Sequence, residues 1–437
     1  MRAPRLLRAI TIACVAAMAI AACAPGQPAD DPAADAGPQQ IDWNSFHGQT
    51  LDYLYFTDGP DEAATRELVD RFAQETGATV NLQIVPFADV ERTLQGRINS
   101  NTPPHAARVS AWSPYADSLV DLETYFGAGY PDQFIAGPAA AAQAADGRML
   151  AAPNDLTMNG PFVNVDAFAR AGVPLPAAQD PWTWDEMVAA ATAVQQANGM
   201  ESALAIDKSG HRLSTVLSAF GTTLIGPDGR EALDPAKAEA ALNSLNGLVQ
   251  SGAMLKDFWL ESGSRYQGAN DQFLAQQAPV YLSGNWQVGQ FAQNATFAWA
   301  AVPNACAERC GGFPGGKYLV AFSGSANPAL GAAFVEWMNR AESQRAMSEQ
   351  AFWLPTRTDL VESGITYPDR SEDMAVFLAD VTATPEDTYA TNGSPAFSGS
   401  ATLLVEEISK LFAGQQDAAT TVEAVKAGVA ELVEQTS

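Results

Sequence analysis

The sequence predicts an α/β protein in which helices flank a mainly parallel sheet. Apparent strands and helices alternate over residues 51–112, the pattern of βαβ units. Hydrophobic residues make up 47% of the chain and aromatic residues 9%, enough for a sizeable core. The segment 1–22 has the features of an export signal, and the roughly 415 residues that follow suit two domains or one large one.

The N-terminal segment has the three parts of that signal. Three arginines lie among the first eight residues, and residues 9–22 form an apolar stretch too short to span a hydrocarbon core of about 30 Å comfortably. Small residues precede Cys23, which resembles the bacterial lipoprotein signal and implies lipidation of this cysteine. An ordinary secretory signal with an incidental cysteine is the alternative, and both predict export. Residues 24–40, rich in proline and aspartate, are expected to be a solvated tether.

The first third of the body carries the βαβ pattern. Strands are predicted over residues 51–56, 80–85 and 107–112, with a helix start at 57–60 and a second helix over 88–99. Gly77 is a natural stop for the first helix. Ligands of parallel sheets lie beyond the carboxyl ends of the strands, so residues 57–59, 86–87 and 112–113 should share one rim.

The rest of the chain is mostly helical. Thr183 and Glu186 form a capping box at the start of a helix that runs through Ala197. Further helices are predicted near 235–251 and 268–277, over 329–340, 403–412 and 422–433, and strands before Trp286 and over 315–322. Trp182 and Trp184 are expected to pack against the body rather than bind a ligand.

Charge and motifs exclude several classes of function. The formal net charge is −26, so the surface should repel nucleic acid and anionic membranes. No later apolar run is long enough for a second membrane span. The motifs of zinc proteases, serine hydrolases, phosphate-loop enzymes and dinucleotide-binding enzymes do not occur, and we expect no cofactor. A glycoside hydrolase with paired carboxylates and a structural or adhesion lipoprotein stay open.

Two cysteines remain beyond the signal and the anchor. Cys306 and Cys310 lie four residues apart, which in an exported chain predicts a disulfide that stiffens one loop. A metal site is the weaker reading, because the chain has three histidines and none is near this pair in sequence.

Four segments together resemble the extracellular solute-binding proteins of ABC importers, in the branch that includes maltodextrin and other sugar binders. They are residues 147–153 followed by 164–166, the helix start at 183–186, residues 280–286, and residues 315–321 followed by the helix that ends near Met338. The segment 163–166 departs from the family, which often has a tyrosine and a lysine around Asn164.

The resemblance implies two α/β lobes with a solute between them. Transferred to this chain, lobe one holds residues 41–155 and 286–326, and lobe two holds 157–284 and 327–437. Closure of the lobes around a carbohydrate would be a hinge motion, and the membrane permease would recognise the closed form. The protein is expected to be a monomer held at the outer face of the cell membrane by its lipid.

Candidate binding residues are polar or aromatic and lie on predicted rims, crossings and loops. Sugars present hydroxyls and apolar C–H faces, which match amide, carboxylate and guanidinium groups and aromatic rings. The candidates are Asp58, Trp112, Asn154, Asp155, Asn285, Trp286, Gly315, Gly316, Trp353 and Arg357. Helix capping for Asp58, a core position for Trp112 and turn formation for Asn154 and Asp155 are the structural alternatives. Trp259 and Tyr266 are less certain contributors.

A phosphorylated ligand is the second reading within the binding proteins. Arg357, Lys317 and the backbone N–H groups of Gly315 and Gly316 have the chemistry to meet a phosphate. A glycerophosphodiester or a phosphorylated or amino sugar would then replace the neutral carbohydrate.

Overall fold

The computed structural model describes residues 38–57, 61–260 and 269–436. The predicted sites Cys23 and Asp58, and Tyr266, lie outside these residues. The strands are β1 Thr50–Tyr55, β2 Thr79–Ile84, β3 Ala106–Val109, β4 Ala152–Asn164, β5 Leu204–Ile206, β6 Val280–Gly284, β7 Trp299–Ala301 and β8 Pro314–Ala321. Short 3-10 helices cover Trp43–Phe46, Phe87–Asp89, Ser113–Ser118 and Pro131–Gln133.

The α-helices surround these strands. In the first half they are α1 Glu62–Thr76, α2 Val90–Asn99, α3 Glu123–Phe126, α4 Ala136–Ala141, α5 Val165–Ala171, α6 Trp184–Asn198, α7 Gly210–Ala219 and α8 Pro235–Gln250. The others are α9 Lys256–Leu260, α10 Ala269–Leu274, α11 Gln287–Asn294, α12 Pro328–Met338, α13 Ala341–Ala351, α14 Thr358–Ser363, α15 Ser371–Ala383, α16 Glu386–Gly393, α17 Phe397–Ala413 and α18 Ala418–Thr436. Within the described ranges, none of them combines the length and hydropathy of a membrane span.

The strands form one sheet in the order β2-β1-β3-β8-β4-β6-β5, with β7 also paired to β4. The α/β fold class is confirmed, but the sheet is mixed rather than mainly parallel. β1 is parallel to β2 and β3, and β5 is parallel to β6. All pairs that involve β4 or β8 are antiparallel, because these two strands cross the middle of the sheet in opposite directions.

Local signals in the sequence agree with the observed helix ends. Gly77 ends α1 with φ 70°, and its N–H donates to the Ala73 carbonyl. The capping box of α6 is present with both of its hydrogen bonds, between Thr183 and Glu186. Some helix ends differ from the prediction: α2 begins at Val90 after a 3-10 turn, α10 ends at Leu274 and α12 ends at Met338.

Over the ranges that the structure describes, the buried apolar residues form three clusters. The first contains residues of β1, α1 and α12 such as Tyr53, Phe72 and Phe334, and the second contains residues of α6 and α9 such as Trp184 and Trp259. The third, which includes Phe162, Tyr281 and Phe377, lies around the middle of β4. All 13 residues of β4 are buried, and the strand contributes to all three clusters.

The clusters group some segments differently from the predicted lobes. Leu330–Met338 residues of α12 pack in the first cluster, and Val288 and Phe291 of α11 pack in the third. Packing does not report which parts move together, so the lobe boundaries stay a prediction.

Cys306 and Cys310 form a disulfide, in agreement with the sequence. The Cys306 N–H donates to the Trp182 carbonyl at 2.8 Å, and the Trp184 N–H donates to the Cys306 carbonyl at 2.7 Å. Trp182 and Trp184 pack in or against the second cluster, as expected. The bridged loop is therefore attached to the N-terminal end of α6.

Candidate ligand-binding cleft

Of the predicted crossing residues, Asn154 and Asp155 lie in β4, which pairs with β8, whereas Asn285 and Trp286 directly follow β6. Leu156 is opposite Gly316, and Thr157 is opposite Gly315. A Cβ atom on Gly315 would lie 2.5 Å from Thr157 Oγ1, and one on Gly316 would lie 2.9 Å from the Asp155 carbonyl oxygen. Both glycines therefore allow these strands to approach closely, whatever else they contact.

Asp155, near the start of β4, belongs to a fully buried group that we call the Arg108 cluster: Tyr55, Phe56, Asp61, Arg108, Asp155 and Trp353. Arg108, in β3, has no exposed surface, and its Nη2 donates to Asp155 Oδ2 at 2.8 Å. Its Nη1 donates to the Phe56 carbonyl at 2.9 Å and lies 3.6 Å from Asp61 Oδ2. The buried guanidinium thus has two carboxylate neighbours and a carbonyl acceptor, which supply the partners that burial of a charge requires.

Aromatic rings enclose the same guanidinium. Its carbon Cζ is 4.6 Å from the ring centroids of Phe56 and Trp353 and 5.3 Å from that of Tyr55. The Tyr55 hydroxyl donates to Asp61, and burial holds the pKa of this hydroxyl well above its ordinary value. Trp353, a predicted ligand contact, is only 4% exposed, so its ring is covered in this conformation.

A second group, the Arg212 cluster, lies further along β4: Asn159, Asp207, Arg212, Tyr281, Ser283 and Trp286. Arg212, in the first turn of α7, donates from Nε to Asp207 Oδ2 at 3.1 Å and from Nη1 to Asn159 Oδ1 at 3.1 Å. Asp207 also accepts from Tyr281 Oη at 2.6 Å and from Ser283 Oγ at 2.9 Å. This network ties the loop after β5 to β4 and β6.

Trp286 covers the second guanidinium and keeps part of its surface exposed. Arg212 Cζ lies 4.4 Å from the centroid of the Trp286 ring. The indole lies directly against Gly284, where a Cβ atom would collide with it. The glycine that ends β6 therefore lets Trp286 fold back over Arg212.

Asn285, the neighbour of Trp286, is buried and joins three segments. The Met158 N–H donates to its Oδ1 at 2.9 Å, and its Nδ2 donates to the Phe352 carbonyl at 3.2 Å. Asn154 is also buried, and its Nδ2 donates to Asn339 Oδ1 at 3.3 Å. Both carboxamides are engaged within the protein in this conformation.

The remaining predicted contacts, Trp112 and Arg357, are engaged by protein groups. The Trp112 indole donates from Nε1 to the Ala141 carbonyl at 2.8 Å and packs in the first cluster. Arg357 donates to both carboxylate oxygens of Asp359, at 3.0 and 3.1 Å, and to Gln133 Oε1 at 2.8 Å.

Sequence reasoning missed both arginines and Asp207. Asp207 directly follows a short apolar strand, the position at which polar ligands of α/β sheets collect, so a signal was available for it. Arg108 has none, because an arginine inside a four-residue strand is more typical of an exposed edge.

The cleft between these elements is almost filled. A cavity of about 10 Å³, roughly the space of one water molecule, is lined by β4 and β8 residues that include Asp155, Gly315 and Gly316, and by residues of α4 and α16. No sugar fits there in this conformation. In the described ranges, no three His, Cys, Asp or Glu side chains come together in a way that would hold a metal ion.

Comparison with known proteins supplies the family. A family model described as bacterial extracellular solute-binding protein matches residues 67–427. No curated protein sequence gives a match.

Several solved structures share the fold at low sequence identity. The GacH receptor of Streptomyces glaucescens, solved unliganded and with acarbose, is 18% identical with a TM-score of 0.75, over 88% of this chain and 99% of that one. Lmo0181 of Listeria monocytogenes, in complex with cycloalternan, is 18% identical with a TM-score of 0.74, over 88% and 98%. The cyclic α-maltosyl-1,6-maltose binding protein of Arthrobacter globiformis is 19% identical with a TM-score of 0.73, over 89% and 100%.

Proposed function

Because this chain belongs to the bacterial extracellular solute-binding proteins, we propose that it captures a carbohydrate outside the cell and delivers it to the permease of an ABC importer. The observation that carries the proposal is the Trp286 ring, which lies over the Arg212 guanidinium and keeps part of its surface exposed. The acarbose, cycloalternan and cyclic maltosyl-maltose ligands of the structural neighbours support the same class of solute.

The chemistry of the cleft suits a sugar. Guanidinium and amide groups donate to hydroxyl oxygens, carboxylates accept from hydroxyl hydrogens, and indole rings stack on C–H faces. Trp286 offers such a ring with part of its surface exposed. Asn154, Asp155, Asn285, Trp353 and the two glycines of β8 stay proposed contacts that become available when the cleft opens.

The test is a titration of the purified mature protein with a sugar panel, followed by tryptophan fluorescence and calorimetry. Maltotriose, acarbose and a cyclic tetrasaccharide represent the chemistry of the neighbours, and glycerophosphocholine and glucose 6-phosphate represent the phosphorylated alternatives. Trp286→Ala should weaken sugar binding by about tenfold, which is the value of one aromatic contact. Trp43→Phe is the matched control. Trp43 lies in the first 3-10 helix, and its ring stacks on the Arg340 guanidinium. A failure of every sugar to bind the unaltered protein would overturn the proposal.

The phosphorylated alternative has less support. Asp359 and Gln133 already engage the Arg357 guanidinium. The hydrolase alternative is checked in the same experiment, because recovery of an unchanged oligosaccharide after incubation would exclude it.

Attachment and motion are further parts of the proposal. Cys23 would carry the lipid, residues 24–40 would form the tether, and a monomer would capture solute near its permease, where tethering raises the effective concentration. The predicted lobes would close by a hinge motion at the crossing strands. Labelling with radioactive palmitate should be lost in Cys23→Ser, and the variant should be released from the membrane fraction; retention of label would contradict the anchor.

A further inference from the structure

The strand β4 contains a β-bulge at Asn154, and we propose that Gln344 and Thr356 hold this bulge in place. Through it, these two positioning residues direct the carboxylate of Asp155 toward Arg108. The inference rests on the proposed function and deepens it, because Asp155 is one of the proposed sugar contacts. Gln344 lies in α13 and is 2% exposed, and Thr356 follows α13 and has no exposed surface.

The bulge is visible as a shift in the pairing of β4 with β8. Pro153 is opposite Tyr318, whereas Asp155 is opposite Lys317, the next residue of β8 in the ladder. Asn154 is therefore the extra residue. One extra residue bends a strand and moves every side chain beyond it to the other face of the sheet.

This shift decides which side chain meets Arg108. Arg108 in β3 is opposite Leu319 in β8, two positions from Lys317, and residues two positions apart face the same side of a sheet. Because of the bulge, the residue opposite Lys317 is Asp155, whereas an unbroken ladder would place Asn154 there. The bulge therefore gives the guanidinium a carboxylate instead of a carboxamide, and its Nη2 donates to Asp155 Oδ2 at 2.8 Å.

Side chains from outside the sheet hold the bulged residues. The Pro153 carbonyl accepts from Thr356 Oγ1 at 2.8 Å and from Gln344 Nε2 at 3.2 Å. Asn154 Nδ2 donates to Asn339 Oδ1 at 3.3 Å, and Gln344 Nε2 donates to the same oxygen at 3.0 Å. A bulge disrupts the ladder locally, and buried polar groups there need partners from elsewhere.

The Gln344 amide is the centre of this network. Its Nε2 also donates to Thr356 Oγ1 at 2.7 Å, and its Oε1 accepts from the backbone N–H groups of Thr356 and Arg357 at 3.2 and 3.3 Å. One buried side chain thus connects β4, the residue after α12 and the segment after α13. Buried polar networks in which each group has a partner hold one arrangement of the backbone, here the bulge that directs Asp155.

Thr356→Val is the sharpest probe, because valine has the shape of threonine without the hydroxyl group. Thr356→Ser keeps the hydroxyl and should restore the behaviour of the unaltered protein. Thr421→Val is the matched control: the Thr421 hydroxyl is also buried, accepts from Gln416 Nε2 at 2.9 Å and donates to the Asp417 carbonyl at 2.8 Å. Thr421 lies in α18, which packs on α17 and α8 rather than on β4.

The first measurement is a double-mutant cycle in urea that combines Thr356→Val with Asp155→Asn. In the unaltered protein, Asp155→Asn removes a charge that faces a buried guanidinium and therefore lowers stability. If Thr356 holds Asp155 against Arg108, the same substitution should cost at most about half as much in the Thr356→Val background. In the Thr421→Val background it should cost the full amount. An equal cost in all three backgrounds overturns the positioning of Asp155.

The second measurement is calorimetric titration with the best sugar of the panel. Thr356→Val should weaken binding by about three- to tenfold, Thr356→Ser by less than about twofold, and Thr421→Val not at all. In the Asp155→Asn background, Thr356→Val should cause no further loss. Asn339→Ala, which removes the oxygen shared by Asn154 and Gln344, is the second variant if Thr356→Val does not fold, with an expected loss of about threefold.

The outcomes separate this inference from the proposed function. If the urea cycle shows coupling but Thr356→Val binds sugar as tightly as the unaltered protein, the bulge has no role in binding and the carbohydrate function stands. Equal weakening in Thr356→Val and Thr421→Val would attribute the effect to lost stability and overturn the positioning role. If the unaltered protein binds no sugar, the proposed function fails and the role in binding with it, while the urea cycle still decides whether Thr356 positions Asp155.

Discussion

The Arg108 and Arg212 clusters are built alike but differ in access. Each places an arginine against an aspartate and under a tryptophan ring, at 4.6 Å for Trp353 and 4.4 Å for Trp286. Arg108 has a second carboxylate and two more rings around it, and its tryptophan is covered. Trp286 keeps exposed surface. In this conformation the tryptophan ring is therefore covered in the Arg108 cluster and accessible in the Arg212 cluster.

A buried ion pair alone therefore does not identify a ligand site. Removal of one partner leaves the other charge buried without compensation, whereas replacement of the whole pair by apolar groups can be neutral. The accessible aromatic ring is the better guide, because a solute must reach it. Arg108→Ala, Trp353→Ala and Trp286→Ala test this difference.

The largest effect is expected for Arg108→Ala. It leaves the carboxylates of Asp61 and Asp155 buried without their cation, so the free energy of unfolding should fall by about 3–5 kcal/mol, measured in urea. Arg66→Ala is the control, because its partner Glu62 is half exposed and such pairs contribute about 0–1 kcal/mol. A loss below about 1 kcal/mol for Arg108→Ala would contradict the structural role of the cluster.

The two tryptophans should separate stability from binding. Trp353→Ala opens a cavity in the first cluster and should cost about 3–5 kcal/mol of unfolding free energy. Trp286→Ala should cost about 1 kcal/mol while it weakens sugar binding. Urea denaturation of both variants measures the loss of stability, and titration measures sugar binding. Equal stability losses would contradict the expected difference between the two tryptophans.

Asp380 on α15 offers a further comparison with the arginine clusters. Its buried carboxylate accepts a hydrogen bond from an amide rather than from a guanidinium. Burial raises its pKa from an ordinary value of 3.8 to about 7, partly offset by the Asn304 amide that donates to it at 2.7 Å. The folded state therefore holds a proton that the unfolded state releases between about pH 4 and pH 7. Stability should fall across this window as the pH rises and level off above it.

Asp380→Asn should remove the loss of stability that accompanies the rise in pH. The variant keeps an acceptor for Asn304 and carries no charge, so it should be about 2–4 kcal/mol more stable than the unaltered protein at pH 8 and nearly equal at pH 4. Unfolding in urea at both pH values measures this. A constant difference between the two proteins would show that Asp380 does not titrate in this range.

A small effect on stability is expected for the double variant Cys306→Ser, Cys310→Ser. The bridge closes a very short loop, so its loss should cost about 1–2 kcal/mol. The loop contacts the C-terminal end of α7, since the Glu308 and Arg309 N–H groups donate to the Ala219 carbonyl at 2.9 and 3.1 Å. Sugar affinity should change by less than about twofold, because Arg212 lies at the opposite end of α7. A larger loss would mean that the loop positions the Arg212 cluster.

Local structure was predictable from the sequence where the signal was local. Gly77, the capping box of Thr183 and the disulfide depend on a few adjacent residues. The antiparallel pairing of β4 with β8 was not predictable from the sequence, because these strands lie about 160 residues apart and no short pattern sets their direction.

The site was predictable only in part for the same reason. Trp286 and Asp155 follow or begin apolar strands, where ligands of such folds collect. Arg108 obtains its partners from β1, β4 and the segment after α13, and Gln344 obtains its partners from β4 and from the residues that follow α12 and α13. Contacts between distant segments create these groups, so the residues themselves carry no pattern.

The complete burial of β4 has a consequence for how the molecule melts. One strand supplies residues to all three apolar clusters. Loss of packing in one cluster therefore disturbs the strand on which the other two clusters depend. Two lobes joined by an exposed linker would give separate calorimetric peaks. Here a differential scanning calorimetry trace should contain a single cooperative peak, with equal calorimetric and van't Hoff enthalpies.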